Sequence, residues 1–232
     1  ALVLSAASFM GFLPAALLGG IAGTLVDRWN RKLVNFFKRS IDVAGVSLGI
    51  LLLSPILLAC ALAVKISDPR GPIIFKQVRV GLNGRHFTMY KFRSMYTDAE
   101  KRLEAIKHLN ETTGPVFKMK NDPRIYPFGR VLRKFSLDEL PQLFNIFLGD
   151  MSVVGPRPPL PSEVKEYLPW HKMRLAVTPG LTCLWQVSGR SDIGFEDWMR
   201  LDNQYVRHGN LGVDAQLVAK TFKVVFKGDG AY

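Results

Sequence analysis

Hydrophobic and charged positions are distributed unevenly along the chain. Ala1 to Val26 and Val43 to Val64 carry no charged side chain, and each is at or above the ~20 residues a helix needs to cross a hydrocarbon core. After Lys65 the pattern changes to short alternating runs. Ile73 to Val80 and Phe87 to Met95 predict two strands joined through Leu82-Asn83-Gly84-Arg85, where Asn-Gly supplies the positive φ angles of a tight hairpin. On the second strand Phe87, Met89, Lys91 and Arg93 share one face by the two-residue period. Thr97 to Leu109 predicts a charged surface helix. Phe128, Val131, Leu132 and Phe135 then recur at helical spacing opposite Arg130, Arg133 and Lys134. That pattern suits an interfacial helix or one packed on the core.

Ser136 with Glu139 three residues later predicts a capping box, so a helix should begin there. Leu140, Leu143, Phe144 and Phe147 would be its buried stripe, and Gly149 its stop. A last helix is expected over about Asp214 to Phe226, with Leu217, Val218, Phe222 and Val225 on one face and Lys220, Lys223 and Lys227 beside them. Residues 67–232 show no internal repeat, low-complexity tract or linker, which predicts one domain.

The charges that flank the second apolar stretch bear on its path. Arg28, Arg31, Lys32, Lys38 and Arg39 precede it, and Lys65, Arg70, Lys76 and Arg79 follow it. Lysine and arginine clusters prefer the cytoplasmic side, so a straight span would strand one cluster on the wrong face. A helix that enters, bends at Ser54-Pro55 and leaves through the same leaflet satisfies both, because proline removes a backbone hydrogen bond and kinks the rod. The alternative is an ordinary kinked transmembrane helix. Within the first 35 residues, Gly23 to Lys32 (Gly-Thr-Leu-Val-Asp-Arg-Trp-Asn-Arg-Lys) resembles the cytoplasmic loop motif of major-facilitator transporters. A lone transporter hairpin cannot carry substrate, so residues 1–35 read as a fusion scar with no role beyond membrane attachment.

Composition narrows the chemistry. Lysine and arginine number 31 against 19 acidic residues, a net charge of +12, and 48% of the chain is hydrophobic. Wholesale disorder is excluded. Only Cys60 and Cys183 are present, too few for a disulfide framework and too scattered for a zinc cluster. The basic excess points to nucleic acid, an anionic membrane surface or phosphorylated substrates. Residue order favours the last two. Lys91 and Arg93, two apart on a strand, can address one phosphate. Asp138 would occupy a helix first turn, where free N–H groups favour an ionised carboxylate. Four prolines among residues 156–161 hold Arg157 at little further entropic cost, and its planar fork matches two phosphate oxygens.

Four segments together carry a resemblance. Lys91-Phe-Arg93-Ser-Met, the run from Arg133 to Gln142, the run from Gly149 to Pro158, and Thr178 to Arg190 resemble the bacterial sugar transferases, monotopic polyprenyl-phosphate phosphoglycosyl transferases that begin glycan assembly. The similarity extends from about Lys38 to Tyr232 and includes the terminal Gly-Ala-Tyr. Cys183 stands where family members usually have glycine.

The resemblance implies an α+β, mostly helical fold. It has a re-entrant membrane helix over 36–66, kinked at Ser54 and Pro55, and a cytoplasmic catalytic domain over 67–232 with a small β-hairpin and interfacial amphipathic helices. It implies transfer of a sugar 1-phosphate from a UDP-sugar to undecaprenyl phosphate, releasing UMP, at the cytoplasmic face of a bacterial inner membrane. That step would initiate exopolysaccharide, O-antigen or glycoprotein glycan assembly. An Asp-Glu dyad and Mg2+ carry the reaction in the family, and the dyad maps to Asp138 and Glu139. Asp138 would be nucleophile and metal ligand, with Glu139 auxiliary, since helical neighbours point ~100° apart. Lys91, Arg93, Arg133 and Arg157 would spread charge over the phosphates. Anionic lipids are expected partners and nucleic acid is not; a homo-oligomer stays open. The rival reading is a catalytically inactive membrane scaffold of the same fold.

The charge argument predicts that a cysteine placed just before Lys38 and another after Lys65 both react with an impermeant maleimide from the cytoplasmic side only. Labelling from opposite sides would establish a true span.

Overall fold

The computed structural model describes residues 2–111, 115–117, 119, 121–189 and 193–227, with side chains from 33 to 223. Arg190, the Gly230-Ala231-Tyr232 end and the side chains of the transporter-like stretch lie outside the described residues. The chain falls into two units, residues 1–41 and 42–232. Helix α1 is assigned over Leu2–Ser67. In the first unit it carries exposed Phe36 and Phe37. Among the described residues, Leu33–Ser67 is the one helix long and apolar enough to cross a membrane.

In the second unit α1 shows two faces. Val46, Cys60 and Val64 are buried, while Leu48, Leu51, Leu52, Leu58 and Leu62 are exposed, a distribution that water would penalise and lipid would not. The helical assignment runs on through Ser54-Pro55. Pro55 has no N–H to give the Leu51 carbonyl, and the Ser54 hydroxyl donates to that carbonyl instead at 2.8 Å. Asp42, the acidic residue at the start of this apolar run, is buried. It accepts from Ser152 Oγ at 2.6 Å and from Val153 N at 3.3 Å, which joins α1 to the rest of the second unit.

Strands β1 (Ile74–Val80) and β2 (His86–Phe92) form the expected antiparallel hairpin, in register from Ile74 opposite Phe92 to Val80 opposite His86. Asn83 (φ 54°) and Gly84 (φ 81°) provide its left-handed turn, as Asn-Gly predicts. Helix α2 (Ala99–Ile106) follows, and then α3 (Pro127–Lys134) begins on a proline. Gly129 of α3 lies so close to Ser94 that a Cβ would come within 2.0 Å of its carbonyl oxygen. The absence of a side chain there brings α3 onto the end of β2.

The next helix departs from expectation. Ser136 is left-handed (φ 54°) and makes no side-chain cap, so the capping box does not form. Leu137–Glu139 is a 3-10 turn, and α4 (Gln142–Leu148) starts only after Pro141. The cause is local. Pro141 cannot donate to the Leu137 carbonyl, and Leu140 N takes it at 3.2 Å in the tighter i+3 pattern. The buried face of α4 keeps Leu143 of the expected stripe but not Phe144 or Phe147. It holds Gln142, Leu143, Asn145 and Ile146, whereas Phe144, Phe147 and Leu148 are exposed. Asn145, with no exposure, explains the rotation. Its Oδ1 accepts from Tyr90 N at 3.0 Å and its Nδ2 donates to Thr88 O at 2.7 Å, so one side chain bonds the free edge of β2 as a third strand would.

Strand β3 (Ser152–Val154) precedes α5 (Pro161–Lys165) and pairs parallel with β4 (Gly180–Thr182). The pair was not expected: three-residue strands are too short to show an alternation. A Cβ on Gly180 would lie 2.0 Å from Gly155 N, so glycine is required for this approach. Helices α6 (Leu184–Ser188), α7 (Phe195–His208) and α8 (Leu211–Lys227) complete the domain. Cys183 is buried in extended backbone (φ −156°) among Tyr167, Trp185, Phe195, Trp198 and Met199, a conformation that does not need glycine. In α8, Leu217 is buried beside Val154 and Tyr205 while Phe222 is exposed, so the expected single apolar face is divided.

Replacing Asn145 with alanine removes both bonds to β2 and leaves the Tyr90 N–H and the Thr88 carbonyl, on a partly exposed strand edge, without this partner. At ~0.5–1.5 kcal/mol for each hydrogen bond lost, Asn145→Ala should cost about 2 kcal/mol, read as a lower midpoint of urea unfolding. A loss below about 1 kcal/mol would show that water replaces the amide at no cost.

Candidate active site

The 3-10 turn between α3 and α4 places Asp138 inward, at 7% exposure. It stands among charges from three other parts of the fold: Lys91 from β2, Arg133 from α3 and Arg157 from the proline loop, with Glu139 adjacent. Burial pushes the Asp138 carboxyl above its ordinary value, with Glu139 adding to the rise, while Lys91, Arg133 and Arg157 pull it down. This reverses the reasoning from a helix first turn. Asp138 precedes the helix and is out of water, so its ionisation depends on the three cations rather than on a helix dipole.

Glu139 and Lys91 form the more open side of the cluster, with side-chain exposures of 20% and 15%, and Lys91 Nζ donates to Glu139 Oε1 at 2.6 Å. The Glu139 side chain is therefore engaged with the strand. Burial lowers the Lys91 ammonium, which Glu139 counteracts. Arg133 Nε donates to Ser94 Oγ at 3.1 Å, an arrangement that follows from the close approach of Gly129 to Ser94. Burial also lowers Arg133, offset mainly by Asp138.

Arg157 is half-buried and its loop is firmly held. Its carbonyl accepts from Arg174 Nη2 at 2.7 Å, and the next carbonyl, of Pro158, accepts from Arg79 Nη1 at 3.1 Å. Arg174 is 1% exposed and pairs at 2.7 Å with Asp202, itself fully buried. Burial raises Asp202 to about 6 against the pull of Arg174.

Five of the six expected site residues thus come together: Asp138, Glu139, Lys91, Arg133 and Arg157. Arg93 does not join them. Arg93 N still continues the ladder to Ile73 O at 3.0 Å, but its side chain is drawn to the end of α1. Its guanidinium instead pairs with Asp68 and donates to Pro72 O at 2.7 Å and Asp68 O at 2.8 Å, tying the end of α1 to the sheet. Arg79, Arg174 and Asp202 went unpredicted. A buried arginine has no local sequence signature, and Arg174 and Asp202 are brought together by the tertiary fold.

A metal ion would find two adjacent carboxylates here. Among the described residues no three of His, Cys, Asp and Glu come together to form an all-protein site. Magnesium commonly takes one or two carboxylates with the remaining oxygens from substrate phosphate and water, and Asp138 with Glu139 fits that arrangement.

Comparison with known proteins supplies context. The profile of a family described as bacterial sugar transferase matches residues 33–228. The chain is 44% identical over 195 residues to galactosyl transferase CpsE of Streptococcus agalactiae, covering 84% of this chain and 43% of the relative. It is 42% identical over 226 residues to undecaprenyl-phosphate galactose phosphotransferase of Salmonella typhimurium, covering 95% and 46% respectively. That match leaves too few residues outside it to exclude all of residues 1–35. The exopolysaccharide production protein ExoY of Rhizobium meliloti is 42% identical over 199 residues, with 84% of this chain and 88% of the relative covered. The chain spans less than half the length of the first two.

The geometry separates Arg93 from the other cations in a measurable way. Arg93→Gln breaks a largely buried pair and should destabilise the protein by about 3 kcal/mol, yet leave calorimetric affinity for inorganic pyrophosphate unchanged. Arg157→Gln should weaken pyrophosphate at least about tenfold, as expected for a charged hydrogen bond, with little change in stability. The opposite assignment would return Arg93 to the site.

Proposed function

This chain belongs to the bacterial sugar transferase family, and on that premise we propose that it transfers a sugar 1-phosphate from a UDP-sugar to a polyprenyl phosphate such as undecaprenyl phosphate, releasing UMP. The observation that carries the reading is one buried carboxylate, Asp138, facing three cations from three separate elements. Such a group can attack phosphorus while its surroundings neutralise the phosphates. Similarity to the Salmonella undecaprenyl-phosphate galactose phosphotransferase and to undecaprenyl-phosphate glucose phosphotransferase from Komagataeibacter xylinus supports the lipid acceptor.

Two displacements balance the reaction. An Asp138 oxygen attacks the phosphorus that bears the sugar, the bond from that phosphorus to the bridging oxygen breaks, and UMP leaves with the electron pair. An oxygen of the polyprenyl phosphate then attacks the same phosphorus and breaks the acyl phosphate bond. The products are a polyprenyl diphosphate sugar and the free carboxylate. Arg157, Arg133 and Lys91 hold the diphosphate oxygens. Glu139, paired with Lys91 in the resting protein, keeps that ammonium charged in its desolvated position and releases it to the donor. Asp138 and Glu139 would hold a magnesium ion together with diphosphate oxygens, which supplies further neutralisation of the leaving phosphate.

A water-soluble donor and a bilayer-bound acceptor can meet only at headgroup depth. Asp138 lies in the turn between two helices whose outer residues include exposed Val131 and Phe135 on one side and Phe144, Phe147 and Leu148 on the other. These side chains suit insertion beside a bilayer, and anionic lipids attract nearby lysines and arginines by about 1 kcal/mol each. We place the site at the cytoplasmic face of the inner membrane, with the helix over 36–66 entering and leaving by one leaflet. Bending at Pro55 costs little because the hydrogen bond that a bend would break is already missing.

The reading is tested by assaying UMP release from a panel of UDP-sugars with undecaprenyl phosphate, in detergent and in native lipid. Asp138→Asn should reduce turnover at least about 10³-fold and eliminate the radiolabelled sugar-phosphate adduct on the protein. An adduct that persists in Asp138→Asn would refute the nucleophile assignment. Failure of every donor with the unaltered chain would favour the scaffold.

A further inference from the structure

Four consecutive carbonyls, from Pro156 to Pro159, are each met by a donor. Gly180 N reaches Pro156 O at 2.9 Å and Val80 N reaches Pro159 O at 2.9 Å. These are backbone groups of β4 and β1. The middle two carbonyls are met by side chains: Arg174 on Arg157 O at 2.7 Å and Arg79 on Pro158 O at 3.1 Å. Both arginines are buried, at 1% and 8% exposure.

Each guanidinium is fixed from behind. Arg174 pairs with Asp202 at 2.7 Å and donates to Tyr167 Oη at 2.8 Å. Arg79 donates to Gln77 Oε1 from Nε at 3.1 Å and from Nη2 at 2.6 Å. As devices for stability alone these are poor choices, because buried charge is expensive and well-packed apolar residues often replace such pairs without loss.

They address a freedom that the prolines leave. Proline fixes φ of its own residue, but ψ of Arg157 and of Pro158 is still to be set. A carbonyl's direction reports the ψ of its own residue. Arg174 therefore holds ψ at 157 and Arg79 holds ψ at 158, on either side of the peptide that follows the Arg157 side chain. We propose that Arg79 and Arg174 are positioning residues that act through Arg157, aiming its guanidinium at the Asp138 cluster so that it receives a donor diphosphate already oriented. The proposal rests on Arg157 being a phosphate ligand, as read above. It adds two residues, neither of which touches the reacting atoms.

A double-mutant cycle separates aiming from general stability. The full chain in detergent is titrated with UDP by calorimetry, a probe independent of the donor sugar, and each variant is melted in parallel. Arg79→Lys and Arg174→Lys keep the charge and lose the planar fork. Each should weaken UDP about tenfold in the unaltered background, the effect of losing a hydrogen bond to a charged group. In an Arg157→Ala background the same changes should weaken UDP less than about twofold, because sites that act through one group are not additive.

A full tenfold loss in that background would overturn the positioning role and leave the reading of Arg157 intact. An Arg157→Ala chain that binds UDP as tightly as the unaltered one would overturn both. If Arg174→Lys does not melt cooperatively, Arg79→Lys and Arg79→Gln carry the same comparison.

Discussion

A carboxylate removed from water keeps its charge only while cations face it. Everything distinctive in this domain can be derived from that constraint at Asp138. Burial pushes its pKa upward, toward the protonated and less nucleophilic form. Lys91, Arg133 and Arg157 oppose that tendency, and they also suit the phosphates an attack on phosphorus requires. In the proposed reaction one set of charges would serve both the resting state and the reacting one. The arrangement is economical but demanding, because three cations held together repel one another unless an anion lies between them.

Holding those cations explains features that look unrelated along the chain. Lys91 depends on β2, whose outer edge is bonded by the Asn145 side chain rather than by another strand. Arg133 depends on Gly129, whose missing side chain lets α3 approach Ser94. Arg157 depends on the contact of Gly155 with Gly180 that joins β3 to β4, and on two buried arginines. The carboxylate itself depends on Pro141, which delays α4 and makes a 3-10 turn of Leu137–Glu139. Small changes of backbone type at these positions set the site more than any extended element does.

What could be read in advance follows from the range of each interaction. The hairpin and its Asn-Gly turn, the α3 helix and the clustering of five candidate residues were legible because their signals are local or belong to a recognisable motif. The capping box at Ser136 was not, although its residues are present. A proline five positions on diverts the Leu137 carbonyl, and a three-residue pattern does not include it. Phe144 and Phe147 were misplaced for a related reason. Hydrophobic spacing assumes that the buried face is apolar, whereas here a polar residue, Asn145, is buried to bond a strand edge and rotates the helix. Arg93 stands apart because Asp68, 25 positions earlier, pairs with its guanidinium, a contact that strand alternation does not register. The β3–β4 pair and the Arg174–Asp202 contact connect residues 28 positions apart, beyond any window of periodicity.

The outward turn of Phe144, Phe147 and Leu148 also has a positive consequence. Had α4 begun at Ser136 with its aliphatic stripe inward, Asp138 would have lain on a helix surface beside polar residues. Its carboxylate would then have been hydrated and easily ionised, but far less reactive as a nucleophile. Starting the helix later buries Asp138 and exposes the aromatic face next to it in the same step. A carboxylate desolvated by protein and bordered by lipid-compatible side chains is what a transfer between a soluble nucleotide and a membrane-bound phosphate calls for. In the proposed reaction the acceptor's polar end would approach the cations from the lipid side without carrying its chain through water. The chain's net charge of +12 would then act over longer range, drawing it toward an anionic surface where that approach is short.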